Sequence, residues 1–98
     1  NNNILKGAVT YVDCYGNAIS NITKNEFMKY NKNNIFSILF GREDERITTI
    51  SSKYKDVPIS EKLAIFGENG LLQIAINQGR ANKLLGLKLH DIIRIEFR

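Results

Sequence analysis

The chain has 98 residues, 43% of them hydrophobic and 24% charged, with a net charge of +4. That length and composition fit one globular domain with a single core and exclude a disordered segment. No apolar run approaches the roughly 20 residues that cross a bilayer, and the start "NNNILKG" has neither the charged region nor the apolar block of a secretion signal.

The lone Cys14 has no partner for an internal disulfide, so the cytoplasm is the simplest home. The basic residues are scattered, and the acidic stretch "REDER" interrupts them. The charge alone therefore argues weakly for nucleic acid.

In chain order, "ILKGAVTYVD" is rich in β-formers and stops at the turn "CYGN"; "AISNI" resumes as a second strand. "TKNEFMKYN" opens with Thr23 and has Glu26 three residues on, the pattern of a capping box at the start of a short helix. "NIFSILF" and "RITTISS" are β-branched runs on either side of the charged loop "GREDE", a predicted hairpin.

A second predicted hairpin joins "LAIFG" to "LLQIAIN" through "GENG". "RANKLLGL" has the length of one or two helical turns, with a glycine near its end. "KLHDIIRIEFR" alternates Ile93, Ile95 and Phe97 with Arg94 and Glu96, a closing strand with one wet face. The expectation is an all-β domain, a small antiparallel barrel or sandwich of short strands with one or two short helices.

Catalytic equipment is scarce. His90 is the only histidine and sits beside Asp91, as a polar turn residue would. One cysteine and one distant histidine make no zinc site, because structural zinc takes four ligands. Ser51, Ser52 and Ser60 have no neighbouring base in sequence. No phosphate loop or dinucleotide fingerprint is present.

Two stretches stand out. In "DCYGN", Asp13 can receive an ammonium group, Tyr15 can stack on a planar ring, and Asn17 offers both a donor and an acceptor to a base edge. In "FGENGLLQIAINQG", glycines flank Glu68 and Asn69, and a strand end leaves backbone groups free. Ordinary turn chemistry explains either stretch by itself. Together, with Tyr54 of "KYKDVP" between them, they point to an adenine-type site.

The ordered segments "YVDCYGNAISNI", "YKDVP", "LAIFGENGLLQIAINQG" and "LLGLKLHDIIRIEF" resemble the C-terminal domain of the S-adenosylmethionine hydroxide adenosyltransferases, a family related to the fluorinases and chlorinases. The resemblance covers nearly the whole chain. It implies that residues 1–98 form a single C-terminal β-barrel domain of a longer, two-domain protein whose N-terminal α/β domain is absent here. It further implies a homotrimer in which the active site forms between the N-terminal domain of one subunit and the C-terminal domain of its neighbour. The implied substrate is S-adenosylmethionine, and no further cofactor, metal, nucleic acid or membrane is expected.

Residue by residue, the resemblance matches Tyr15 to an aromatic that stacks on adenine, Tyr54 to its partner on the opposite face, and Asn17 to the amide that bonds the base. Asp13 matches the carboxylate that takes the methionine ammonium. Ile76 and Gln78 fall where backbone groups read the base, and Glu68 and Asn69 fall at the loop that holds the methionine carboxylate. Relatives often carry serine where Glu68 stands, so Glu68 is expected to turn into solvent. No catalytic residue is expected in this chain, since water handling belongs to the other domain. The rival readings are an adenosine-binding module without reaction and an oligonucleotide-binding barrel. Aromatics placed at turns and mixed charges count against the latter.

Overall fold

Alternation with a period of two builds most of this molecule. The computed structural model describes residues 3–41 and 45–98. Strand β1 (Ile4–Val12) is followed by β2 (Ala18–Thr23), helix α1 (Lys24–Tyr30), β3 (Phe36–Phe40) and β4 (Glu45–Ile47). A single 3-10 turn (Tyr54–Asp56) precedes β5 (Lys62–Phe66), β6 (Leu71–Ile76), the short helix α2 (Ala81–Leu84) and β7 (Ile92–Phe97). All paired strands run antiparallel, in the order β4-β3-β7-β1-β2-β6-β5. The two edges approach each other to make a nearly closed barrel. Across the seam Lys62 Nζ lies 2.9 Å from Glu45 Oε1, and the Ser51 N–H donates to the Ala64 carbonyl at 2.8 Å.

The core follows from the alternation. Ile93, Ile95 and Phe97 of β7 point inward to meet Val9, Ile38, Phe40, Leu72 and Ile74. The capping box forms as its sequence predicts: Thr23 Oγ1 accepts the Glu26 N–H and Glu26 Oε1 accepts the Thr23 N–H, both at 3.1 Å. That fixes the direction of α1 and drives Phe27 into the barrel end. There it packs edge-on against Phe36, with ring centroids 5.0 Å apart, and tilted against Phe66 and Phe97 at 5.5 Å. Burying such a side chain contributes roughly 1.5–3 kcal/mol, so α1 closes this end of the barrel.

Strand β6 is buried on both faces, which alternation alone would not give. Leu72 and Ile74 face the core, while Ala75 joins Leu63 and Ile65 in a second apolar cluster under Val57. The cover is the segment 51–61, which runs over the outside of β5 and β6 as a strap. It is pinned by the Asn77 side chain, which donates to the Val57 carbonyl at 2.8 Å, and by backbone bonds from Ser60 to Asn77 and from Asn77 to Glu61. Asp56 Oδ2 accepts the N–H groups of Ser52 (2.8 Å) and Lys53 (3.2 Å) and tightens the 3-10 turn.

The run "RITTISS" yields less strand than its composition predicts. Pairing with β3 stops at Ile47, because the chain leaves that edge to cross the seam toward β5, where Ser51 bridges to Ile65 in parallel sense. The hairpin of β3 and β4 forms as expected, while the tip of its charged loop, residues 42–44, lies outside the described residues. His90 occupies a left-handed turn position (φ 76°) before β7, with its backbone N–H donating to the Val9 carbonyl at 2.8 Å. Its part in the fold is that of a turn residue. Among the described residues no helix is long and apolar enough to cross a membrane.

Candidate functional site

The turn 13–17 lies at the barrel end opposite α1. Just before it, β1 carries a bulge: its register against β2 shifts between Val9 and Tyr11. A bulge adds local twist, here just before the turn. Asp13 then holds the turn by its carboxylate. Oδ1 accepts the N–H groups of Tyr15 and Asn17, each at 2.9 Å, and Oδ2 accepts the Asn17 Nδ2 at 3.1 Å. The acid is therefore a structural part of the turn first, with one lone pair, on Oδ2, to spare for a ligand cation.

Gly16 is required by two separate constraints. Its φ is +85°, and a Cβ there would lie 2.7 Å from Asn82 Oδ1 and 2.8 Å from Arg80 Cβ. The turn is thus clamped on the start of α2, and two hydrogen bonds complete the clamp. The Asn82 N–H donates to the Gly16 carbonyl at 2.9 Å, and Arg80 Nη1 donates to the Cys14 carbonyl at 3.0 Å. The Tyr15 ring, 73% exposed, is left standing free beside this rigid base.

Tyr54 arrives from the strap. Its hydroxyl donates to Gln73 Oε1 at 3.0 Å and accepts from Asn17 Nδ2 at 3.4 Å. Burial, and secondly the negative charge of Asp13, raise its ionisation above the ordinary phenol value. The hydroxyl therefore keeps its proton throughout the physiological range.

Asp13, Tyr15, Asn17, Tyr54, Ile76 and Gln78 line one cleft of about 670 Å³, a volume suited to a small organic ligand. Tyr15 and Tyr54, 39 positions apart in sequence (54 − 15), share it. Gln78 adopts a left-handed conformation (φ 57°), and neither its backbone N–H nor its carbonyl has a protein partner among the described residues. Ile76, by contrast, gives its carbonyl to the Gly79 N–H at 3.1 Å. Glu68 and Asn69 are not in the lining. Both are exposed at the tip of the β5–β6 hairpin, where Asn69 Oδ1 accepts the Leu71 N–H at 3.1 Å.

Asn77 and Gly79, the strand end of "INQG", also line the cleft, and so do Cys14, Gln73 and Arg80, which sequence reasoning missed. Gln73 had a signal, as the one polar residue of "LLQIAI". Arg80 had none, since it is brought in by the contact of α2 with Gly16. A second cleft of about 600 Å³ lies against α1, between Phe27, Met28, Asn31 and residues 48–52, and contains none of the anticipated ligand residues. Among the described residues no three His, Cys, Asp or Glu side chains are grouped to hold a metal.

Fold and cleft together define a small antiparallel barrel domain whose ligand face is built from a clamped turn, a strap and a strand end. More particularly, the chain belongs to the family of the SAM hydroxide adenosyltransferase C-terminal domain, whose profile matches residues 7–94. Its fold is similar to the crystal structure of an uncharacterized conserved protein from Thermotoga maritima, at 30% identity and a TM-score of 0.79. That match covers 97% of this chain and 36% of the Thermotoga chain. A conserved hypothetical protein from Thermus thermophilus is similar at 26% identity and a TM-score of 0.70, over 92% of this chain and 34% of the other. The chain thus spans about a third of the length of these solved relatives. A search of curated proteins finds no match.

Proposed function

We propose that this chain is the substrate-holding and assembly domain of an S-adenosylmethionine hydrolase, which converts S-adenosylmethionine and water to adenosine and methionine. The observation that carries the reading is the convergence of Tyr15, Asn17 and Tyr54 with the free backbone of Gln78 in one cleft. Two rings can enclose a purine, an amide and free backbone groups can bond its edge, and the Asp13 carboxylate can receive the ammonium of the amino-acid end. Arg80 adds a cation at the rim.

In the proposed reaction a water oxygen attacks the ribose 5′-carbon as the carbon–sulfur bond breaks. The bonding pair stays on sulfur, neutral methionine departs, and the attacking water loses a proton. The positive sulfonium already makes a good leaving group, so positioning and desolvation supply the catalysis. This chain's part is to bind and orient. The water-handling groups, and the trimer that would bring them to this cleft, belong to a companion N-terminal domain and to neighbouring subunits. A reducing cytoplasm suits the exposed thiol of Cys14.

The test is a product assay with S-adenosylmethionine on the protein joined to its companion domain and on the 98-residue chain alone. Adenosine and methionine should form in equal amounts with the former and stay at the no-enzyme background with the latter. Turnover by the short chain would relocate the chemistry to this domain. Tight adenosine binding without product in the joined protein would favour an adenosine-binding module that does no chemistry.

A further inference from the structure

A single line of hydrogen bonds runs across the cleft, and its direction is set from one end. An ionised carboxylate only accepts, so Asp13 Oδ2 selects the amino end of the Asn17 side chain, Nδ2 at 3.1 Å, over its oxygen. The second hydrogen of that amide reaches the Tyr54 oxygen at 3.4 Å. With its oxygen accepting there, the Tyr54 hydroxyl spends its one hydrogen on Gln73 Oε1 at 3.0 Å. Each choice of donor and acceptor follows from the one before it.

Two groups are left over. The Oδ1 of Asn17, an acceptor, and the Nε2 of Gln73, a donor, have no protein partner among the described residues. Yet Asn17 is only 7% exposed and Gln73 only 8%. Both residues line the cleft, and neither free atom is among the fully buried ones, so the pair is open to a ligand that lies there. The backbone makes room for the second of them: a Cβ on residue 67 would lie 2.8 Å from Gln73 Nε2, and residue 67 is glycine.

We propose that Gln73 is a specificity-determining residue. Together with Asn17 it reads a nucleobase edge carrying an exocyclic amine beside a ring acceptor, and it excludes a 6-oxo edge. This rests on the nucleoside-site reading above and adds to it a residue and a rule. Adenine offers an amine hydrogen to Asn17 Oδ1 and a ring nitrogen to Gln73 Nε2, the complement of what the line leaves free. At the N1 edge hypoxanthine puts its carbonyl oxygen against Asn17 Oδ1 and its N1–H against Gln73 Nε2, acceptor against acceptor and donor against donor. Only turning both amides over would accommodate it, and the charge of Asp13, passed on through Tyr54, holds them as they are. Gln73 is thus oriented at a distance by a carboxylate that it does not touch.

The test compares adenosine with inosine by calorimetry on the protein together with its companion domain. The unmodified protein should favour adenosine by about tenfold or more. Tyr54→Phe keeps the ring but frees the Gln73 amide to turn over, so the adenosine-to-inosine ratio should fall by about threefold or more. Gln73→Glu keeps an acceptor for the Tyr54 hydroxyl and removes the donor. Adenosine affinity should then drop about tenfold, whereas a residue that merely holds Tyr54 would leave it unchanged. An unaltered ratio in Tyr54→Phe with unaltered adenosine affinity in Gln73→Glu would overturn the proposal. So would equal binding of the two nucleosides by the unmodified protein, and in that case the nucleoside site itself would stand. Binding of neither nucleoside would remove that site, and the rule along with it.

Discussion

Replacing Gly16 with alanine tests the clamp between the 13–17 turn and α2. Two costs add at this position. The first is the backbone: a φ of +85° costs a residue with a Cβ about 1–2 kcal/mol. The second is space, since the new methyl would sit 2.7 Å from Asn82 Oδ1, 2.8 Å from Arg80 Cβ and 3.0 Å from Arg80 Cα. Arg80 Cα is backbone and cannot swing aside, so α2 must shift, and overpacking of this kind costs about 1–3 kcal/mol. Gly70 separates the two costs. Its φ is +79°, but nothing lies within 4 Å of a Cβ there. Gly70→Ala should therefore show the backbone cost alone. For a domain of this size each kcal/mol moves the melting temperature by about 4–8 °C. Gly70→Ala should thus melt about 4–16 °C below the parent, and Gly16→Ala about 8–40 °C below it, both followed by far-ultraviolet circular dichroism. If Gly16→Ala melts no lower than Gly70→Ala, the turn is not clamped on α2 and the rigid base argued for Tyr15 does not exist.

Other consequences can be checked with single substitutions in the protein joined to its proposed companion domain. Tyr15→Ala should weaken adenosine binding by about fivefold, the loss of one aromatic stack of roughly 1 kcal/mol. Tyr30→Ala should leave binding alone, since that ring stacks on Phe97 at 5.9 Å at the other end of the barrel; equal effects would remove the case for a stacking site. Glu68→Ser should change S-adenosylmethionine affinity by less than about threefold, under 1 kcal/mol, because Glu68 is exposed outside the cleft lining. A large gain would mean that the hairpin tip closes over the ligand. Tyr54 should ionise above the usual 10.0 in a tyrosinate absorbance titration, and the midpoint should fall in Asp13→Asn, which removes one of its two causes. Because its folded value is raised, its contribution to stability is fully present below pH 10.0 and is lost as pH climbs through the higher folded value.

Much of the fold could be read from local chemistry. The alternation of β7 and the Thr23–Glu26 box each specify their element within a few residues, and both formed as spelled. The glycine in "CYGN" announced a turn, although the reason no other residue fits at Gly16, its contact with Arg80 and Asn82, is tertiary. Gln73 shows the limit most clearly. Whether it faces solvent, core or cleft depends on the register of β6 against β2 and β5 and on the strap that covers its face. Sequence spacing contains none of that information. The stretch 48–52 is similar: β-branched residues favour a strand, and the crossing of the seam overrides them. The resemblance put Glu68 and Asn69 at the ligand, whereas their hairpin tip stands outside the lining in this structure.

The pairing of the first strand with the last has a consequence for how the chain comes to be folded. β1 lies between β2 and β7, and β2 in turn lies between β1 and β6. Leu5 pairs with Ile95, and Ala18 with Ile74, so neither outer edge of the β1–β2 hairpin finds its neighbour until most of the chain exists. Contacts of such long sequence separation slow folding, because the loop entropy is lost before the pairing rewards it. During synthesis the hairpin would wait with both edges bare, the condition in which strands pair with the wrong partner. The last six strand residues, Ile92–Phe97, end that wait by filling the gap between β1 and β3. A ribosome that stalls a few codons short of Ile92 would therefore leave an open sheet rather than a slightly shortened barrel.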